Sequence, residues 1–280
     1  MNMYEQLESY IGYLTRKERS RATVNQYRRD ISAFIIEMSR AAADGCVTKE
    51  AVIKYKRQLC ERYRISSVNT KLAAINGFLE YTGRRDLRVK TMRIQRRAYC
   101  PREKELTKRE YLSMIDQAIA QGDERMSLLM QTLGGTGIRV SELRYITVEA
   151  VEKGEASIWL KGKNRTVLIA GRLKKRLQSY IRREKLTGGP VFVTSGRKPL
   201  DRSNIWKMMK RLGEKAGVGK EKVFPHNVRH LFARCFYEND KDIAKLADVL
   251  GHSNIDTTRI YIMTSGYEHR RKIDALGLVL

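Results

Sequence analysis

The 280-residue sequence has no apolar run near the ~18 residues that a membrane-spanning helix needs, and its opening MNMYEQLESY lacks the charged and apolar regions of a signal peptide. Both absences lead to the expectation of a cytoplasmic protein with no membrane partner. The four cysteines, Cys46, Cys60, Cys100 and Cys235, form neither a CxxC pair nor an even framework, which argues against a disulfide scaffold and for reduced, structural thiols. No ATP-binding loop, internal repeat or low-complexity tract is visible. His226 and His230 stand at the i, i+4 spacing of a metal pair, but Asn227 occupies the place of the HExxH glutamate and no acidic or cysteine cluster supplies a third ligand. Neither a metal nor another cofactor is therefore expected.

Negative charge is also scarce. Only 31 Asp and Glu face 56 Lys and Arg, a formal net charge of +25 that is spread along the chain. An excess of this size implies a polyanionic partner, nucleic acid ahead of a membrane surface. The length exceeds that of most single domains, so two domains are expected, and a hydrophobic content of 42% fits a soluble globular protein.

From Thr23 an apolar stripe runs through Tyr27, Ile31, Phe34, Ile35 and Met38, the spacing of a helix with one buried face. A second stripe, Val68, Leu72, Ile75, Phe78 and Leu79, ends at Gly83, which can stop a helix. Residues 1–87 thus read as a small all-helical domain. The text then changes: RVKTMRIQRRAYCPREK, residues 88–104, is strongly basic and punctuated by Pro101, and it reads as an interdomain linker lying on phosphates through Lys90, Arg93, Arg96 and Arg97. Residues 105–280 read as a second, mainly helical domain. Its first helix carries Thr107 and Glu110 at capping-box spacing. Two β-prone runs, Ser157–Lys161 and Thr166–Ala170, flank Gly162-Lys163-Asn164-Arg165 and predict a β-hairpin with a basic tip. Helical patterns return in RLKKRLQSYIRRE, in SNIWKMMKRLGEKAG and from Asn227 to Leu250. The fold class expected is mainly α with a small β-hairpin in the second, α+β domain.

In PHNVRHLFARCF, His226 and Arg229 lie three apart and share one side of a helix, as a phosphate clamp requires. Farther on, LGHSNIDTTRIYIM carries His252 and Tyr261. With GTGIRVSEL around Arg139, these segments resemble the tyrosine recombinases, or phage-type integrases, in the family's order and near its spacing. The resemblance covers roughly residues 105–265. The N-terminal helices and SSVNTKLAAINGFLEYTG are similar to the family's core-binding domain, a looser likeness.

The resemblance implies site-specific DNA recombination by strand cleavage and rejoining, with Tyr261 as nucleophile and a 3′-phosphotyrosyl intermediate that conserves the bond energy. Arg139 and Arg229 would hold the charge on the non-bridging oxygens, His226 would act as general base, and His252 would donate a hydrogen bond to the phosphate. Glu142, on the first arginine's helix, looks like the family's supporting acid. The family's general-acid lysine aligns with Lys161, and Lys163 at the turn stays open because the loop between Arg139 and the hairpin is shorter than usual. His230 is expected to pack, and His269 to be a surface residue. Similar enzymes close around duplex DNA as a C-shaped clamp and act as homo-tetramers on paired sites, with accessory proteins left open. The apolar end ALGLVL of the tail, residues 262–280, suits docking in a neighbour or on its own domain.

Two other readings remain at this point. A type IB topoisomerase-like protein would share the chemistry and relax supercoils. A DNA-binding regulator with a vestigial site is opposed by the complete set of candidate residues. No motif names the target sequence or separates integration from transposition, inversion or dimer resolution, although the lack of an extra arm-binding domain leans towards a simple recombinase on short inverted repeats.

Overall fold

The computed structural model describes residues 2–41, 47–93, 105–160, 163–262 and 274–277. Contacts divide the chain into two compact units, Met1–Arg96 and Arg97–Leu280.

The regular elements described in the first unit are all helical: α1 (Met3–Arg16), α2 (Arg21–Ala41), α3 (Lys49–Arg62), α4 (Ile65–Tyr81) and a 3-10 turn at Arg85–Leu87. The stripes expected on α2 and α4 form its interior, with Ile31, Phe34, Ile35 and Met38 of α2 and Val68, Leu72, Ile75, Phe78 and Leu79 of α4 all buried. One carboxylate lies among them. Asp30 accepts from Lys71 Nζ at 2.7 Å and from Gln26 Nε2 at 2.8 Å, which neutralises its charge locally.

After the 3-10 turn the chain runs extended along α4, held by two side-chain amides that imitate a neighbouring strand. Asn76 donates to the Val89 carbonyl at 2.8 Å and accepts from the Val89 N–H at 3.0 Å. Asn69 does the same for Met92, at 2.8 Å in both directions. Val89 is buried in the interior, while Lys90 and Arg93 are exposed.

The second unit is built around α6 (Glu124–Thr136), which buries residues on nearly every side and touches α5 (Lys108–Ala120), α8 (Gly171–Arg183) and α10 (Pro225–Asp240). Helix α5 begins with the expected capping box, Glu110 N–H to Thr107 Oγ1 and Thr107 N–H to Glu110 Oε2. A 3-10 segment (Val140–Tyr145) and α7 (Val148–Lys153) lead into β1 (Glu155–Leu160) and β2 (Lys163–Leu168); α9 (Arg202–Lys215), α11 (Ile243–Leu250) and α12 (Ile255–Ile262) complete the order.

The hairpin forms, with β1 starting two residues and β2 three residues earlier than expected. Leu160 pairs with Lys163, so Asn164 and Arg165 belong to β2 and not to the tip. The inward set decides the register: Ala156 and Ile158 of β1 and Val167 of β2 are buried, and Arg165 pairs with Ile158 on that same face. A second difference is that Glu142 stands in the 3-10 segment, with Arg139 as its capping residue, rather than on a helix shared with Arg139.

Candidate active site

Two of the candidate side chains are placed by helices that end on glycine. Helix α6 stops at Gly137, in the left-handed region at φ +62°, and Arg139 follows two residues later. Helix α11 stops at Gly251, at φ +66°, and His252 follows directly. A side chain at either glycine would be strained by its backbone and would also collide: a Cβ would lie 2.3 Å from Phe232 at Gly137 and 2.4 Å from the Arg165 side chain at Gly251.

Helix α10 brings the next group. Pro225 occupies its first turn, where a missing N–H costs nothing, His226 stands exposed beside it, and Arg229 lies one turn on with 1% of its surface exposed. The Arg229 guanidinium ties the two glycine-ended loops together. Its Nη1 donates to the Gly137 carbonyl at 2.6 Å and its Nη2 to the Leu250 carbonyl at 2.7 Å. Nη2 also lies 2.9 Å from His252 Nε2. A guanidinium only donates, so Nε2 accepts and the His252 proton sits on Nδ1, 2.9 Å from the oxygen of buried Thr258. In this arrangement His252 has no ε proton to offer a phosphate.

Helix α12 supplies Tyr261, 6% exposed, within a small apolar cluster with Ala233, Leu246 and Leu250. Three imidazoles surround the phenol ring: His230 stacks on it at 4.2 Å, His252 lies at 5.2 Å, and His226 meets it edge-on at 5.3 Å. The Arg229 guanidinium carbon sits 5.9 Å from the ring centre. His230, expected simply to pack, packs on the candidate nucleophile itself.

Positive charge dominates the electrostatics. Burial, followed by the Arg139 charge, lowers Arg229 to about 10. Burial and then His226 and Arg229 lower His230 to about 4, and burial followed by the charges of Arg229, Arg139 and Arg165 lowers His252 to about 4. Partial desolvation and then Arg229 and Arg139 also hold His226 below its ordinary value, although this residue stands at the surface. The imidazoles of His230 and His252 are consequently neutral at pH 7. Arg139 thus acts electrostatically on the same cluster that Arg229 binds.

Glu142, 1% exposed, holds two arginines. Arg139 reaches it with Nη1 at 2.9 Å and with its backbone N–H at 2.8 Å, and Arg165 with Nη2 at 2.5 Å. Burial pulls the carboxyl upward, but the hydrogen bonds and charges of the two arginines outweigh it and keep Glu142 below the usual carboxylate range. Among the described residues, the buried Nε atoms of Arg165 and Arg229 find no acceptor.

The structure therefore brings together Arg139, Glu142, His226, Arg229, His252 and Tyr261. Lys161 lies outside the described residues, and Lys163 is described by its backbone alone, in β2 opposite Leu160. Lys90 and Arg93 lie on the extended segment of the first unit; Arg96, Arg97, His269 and all of the tail after Ile262 except residues 274–277 lie outside the described residues. Sequence reasoning missed Thr258 and Arg165. Thr258 stands one helical turn before Tyr261, and Arg165 is the charged member of an inward-facing period-two set, so both positions carried a periodicity signal.

The sequence pattern of the phage integrase family matches residues 104–266, and that of the phage integrase N-terminal SAM-like domain matches residues 7–86. The chain belongs to the phage integrase family, and it is a tyrosine recombinase. It is 30% identical to the tyrosine recombinase XerA of Pyrococcus furiosus, over 98% of this chain and 95% of that protein. Among solved structures, a XerA recombinase is 28% identical, with a TM-score of 0.54 and 99% of both chains covered. A lambda integrase, solved as a tetramer bound to a Holliday junction, shares the fold at a TM-score of 0.72 and 17% identity, over 93% of this chain and 77% of that one.

Proposed function

We propose that this chain cleaves and rejoins duplex DNA at paired recombination sites through a 3′-phosphotyrosyl bond to Tyr261. The observation that carries the reading is the Tyr261 phenol, set among three imidazoles at 4.2–5.3 Å with the Arg229 guanidinium beside it. In cleavage the phenol oxygen attacks the scissile phosphorus while its proton passes to His226. The bond from phosphorus to the 5′-oxygen breaks, and that oxygen takes a proton from a lysine, Lys161 with Lys163 as the alternative. Arg139 and Arg229 hold the charge that gathers on the non-bridging oxygens. The buried Nε of Arg229, which has no acceptor among the described residues, supports this, because an anionic oxygen would satisfy it. His252 would exchange its Arg229 contact for the phosphate, taking up a proton to do so. Rejoining runs the same steps backwards and needs no nucleotide or metal.

Residues 1–87 serve in this reading as the core-binding domain, 88–104 as a basic linker and 105–280 as the catalytic domain with its tail. Duplex DNA is the partner, and Lys90, Arg93, Arg96 and Arg97 neutralise phosphates along it. The lambda integrase tetramer supports a homo-tetramer acting on two sites, with the tail docking in a neighbour or on its own domain. Among the described residues no helix is long and apolar enough to cross a membrane, which agrees with a cytoplasmic site of action.

Tyr261→Phe tests the nucleophile on a nicked suicide substrate. The variant should bind DNA nearly as well as the parent and form no covalent adduct. Persistence of the adduct would move the nucleophile elsewhere, with Tyr267 the first position to examine.

A further inference from the structure

Arg139 and Arg229, which bear part of the proposed chemistry, are joined by a ring of contacts, and one member of that ring has no place in the reading above. Arg139 binds Glu142; Glu142 binds Arg165; Arg165 Nη1 donates to the Val249 carbonyl at 2.7 Å. The neighbouring Leu250 carbonyl accepts from Arg229, and Arg229 returns to the Gly137 carbonyl, two residues before Arg139. We propose that Arg165 is a positioning residue, which sets the β1–β2 hairpin and the His252 loop against Glu142 and so aims the hairpin's lysine at the scissile phosphate. The proposal rests on the reading of that lysine as the general acid.

Three features of the structure support it. An isolated two-stranded ribbon is only marginally stable in water, so the direction of its tip depends on what its inner face grips. The pair Leu160–Lys163 closes the described ladder, and the pair Ile158–Arg165 is the next on the same face. Arg165 therefore grips close to the tip, four residues from Lys161 and two from Lys163. Secondly, its side chain is only 15% exposed and reaches two partners in different directions, Glu142 and the Val249 carbonyl. The planar fork of a guanidinium matches this, whereas a lysine offers a single nitrogen. Thirdly, the arginine lies across Gly251 so closely that a Cβ there would come within 2.4 Å of it. The loop leading to His252 is shaped around this side chain.

The test uses the full chain and a nicked suicide substrate, with either ordinary DNA or a 5′-bridging phosphorothiolate. Sulfur leaves as a thiolate and scarcely needs a proton, so it repairs a missing or misplaced general acid and nothing else. Arg165→Met should slow adduct formation on ordinary DNA on the order of 10²-fold, a loss typical of removing proton transfer. On the sulfur substrate it should recover most of the parent rate, with DNA affinity unchanged. Arg165→Lys keeps the charge and loses the fork; it should fall between the two, and it serves in place of Arg165→Met should thermal melting show that variant unfolded. Equal slowing on both substrates would overturn the proposal. Lys161→Ala and Lys163→Ala, run alongside, test the acid separately. If sulfur rescues neither, the lysine reading fails by itself, and hydrogen exchange then decides about Arg165: the amides of 155–160, 163–168 and 249–252 must lose protection in the folded variant, and unchanged protection overturns the positioning role.

Discussion

Among the described residues each unit buries one carboxylate almost completely, Asp30 in the first and Glu142 in the second. Asp30 is answered by one ammonium and one amide, so its surroundings close on zero charge. Glu142 is answered by two guanidiniums, and a third, Arg229, acts on the same site. Three positive charges against one negative leave an excess, and Arg139, whose side chain is 43% exposed, presents part of it to solvent. The difference separates a charge pair that finishes a fold from one that leaves a fold waiting for an anion. Burial alone does not tell the two apart; the stoichiometry of partners does.

The largest effect is expected from Glu142→Gln. Removing the carboxylate leaves buried Arg165 uncompensated, a loss of about 3–5 kcal/mol for broken buried pairs. Urea unfolding followed in the second unit measures it, and adduct formation should fall along with stability because Arg139 loses its support. If Glu142→Gln melts like the parent, the two carboxylates are alike after all.

Acid should sharpen the contrast next. All four histidines lie in the second unit. Native His230 and His252 refuse protons until about pH 4, whereas the unfolded chain takes them near pH 6.5. The unfolded state therefore binds more protons below that value, and stability falls as pH drops from about 6.5, by up to about 1.4 kcal/mol per pH unit for each of the two. The first unit has no histidine and should show no such slope between pH 7.5 and 5.5. Melting curves that move together would contradict it.

Asp30→Asn should cost less, about 1–3 kcal/mol, the range for a buried group left without its partner. Lys71 keeps 22% of its side chain exposed and can turn to water. The rate of adduct formation from bound complex should not change. Smallest of all are Lys90→Ala and Arg93→Ala on the exposed edge of the first unit. Neither should alter stability, and each should reduce the slope of log affinity against log salt by about 0.9 if it neutralises one phosphate. A slope identical to the parent's would remove these residues from the DNA interface.

Much of this was legible because it was local. The stripes of α2 and α4 announced their buried faces, and Thr107 with Glu110 announced the start of α5, since each signal lies within a few residues. The hairpin was legible in kind and not in register. Lysine, asparagine and arginine are poor strand formers, so 163–165 looked like a tip, and only the burial of Val167 against Ala156 draws them into β2. The extended run at Val89 and Met92 was hidden for another reason: its partners, Asn76 and Asn69, lie 13 and 23 residues earlier. At the candidate site the motifs named six side chains that come together. They did not name Arg165 or Thr258, nor the carbonyls that hold Arg229, because a backbone acceptor leaves no mark in the sequence.

Those carbonyls govern when the site can exist. Arg229 grips Gly137 across 92 residues, and Arg165 grips Val249 across 84. Helices such as α6 and α11 can form from neighbouring residues in microseconds, but contacts of such sequence separation bear a large loop-closure entropy and form late. During synthesis the second unit emerges after the first, and Arg229 lacks its acceptor until Leu250, 21 residues farther on, has been made. A growing chain can thus fold the helices of its first unit long before Tyr261 has the surroundings that the proposed chemistry requires. In the proposed reading, strand cleavage waits for these late contacts, whatever has folded before them.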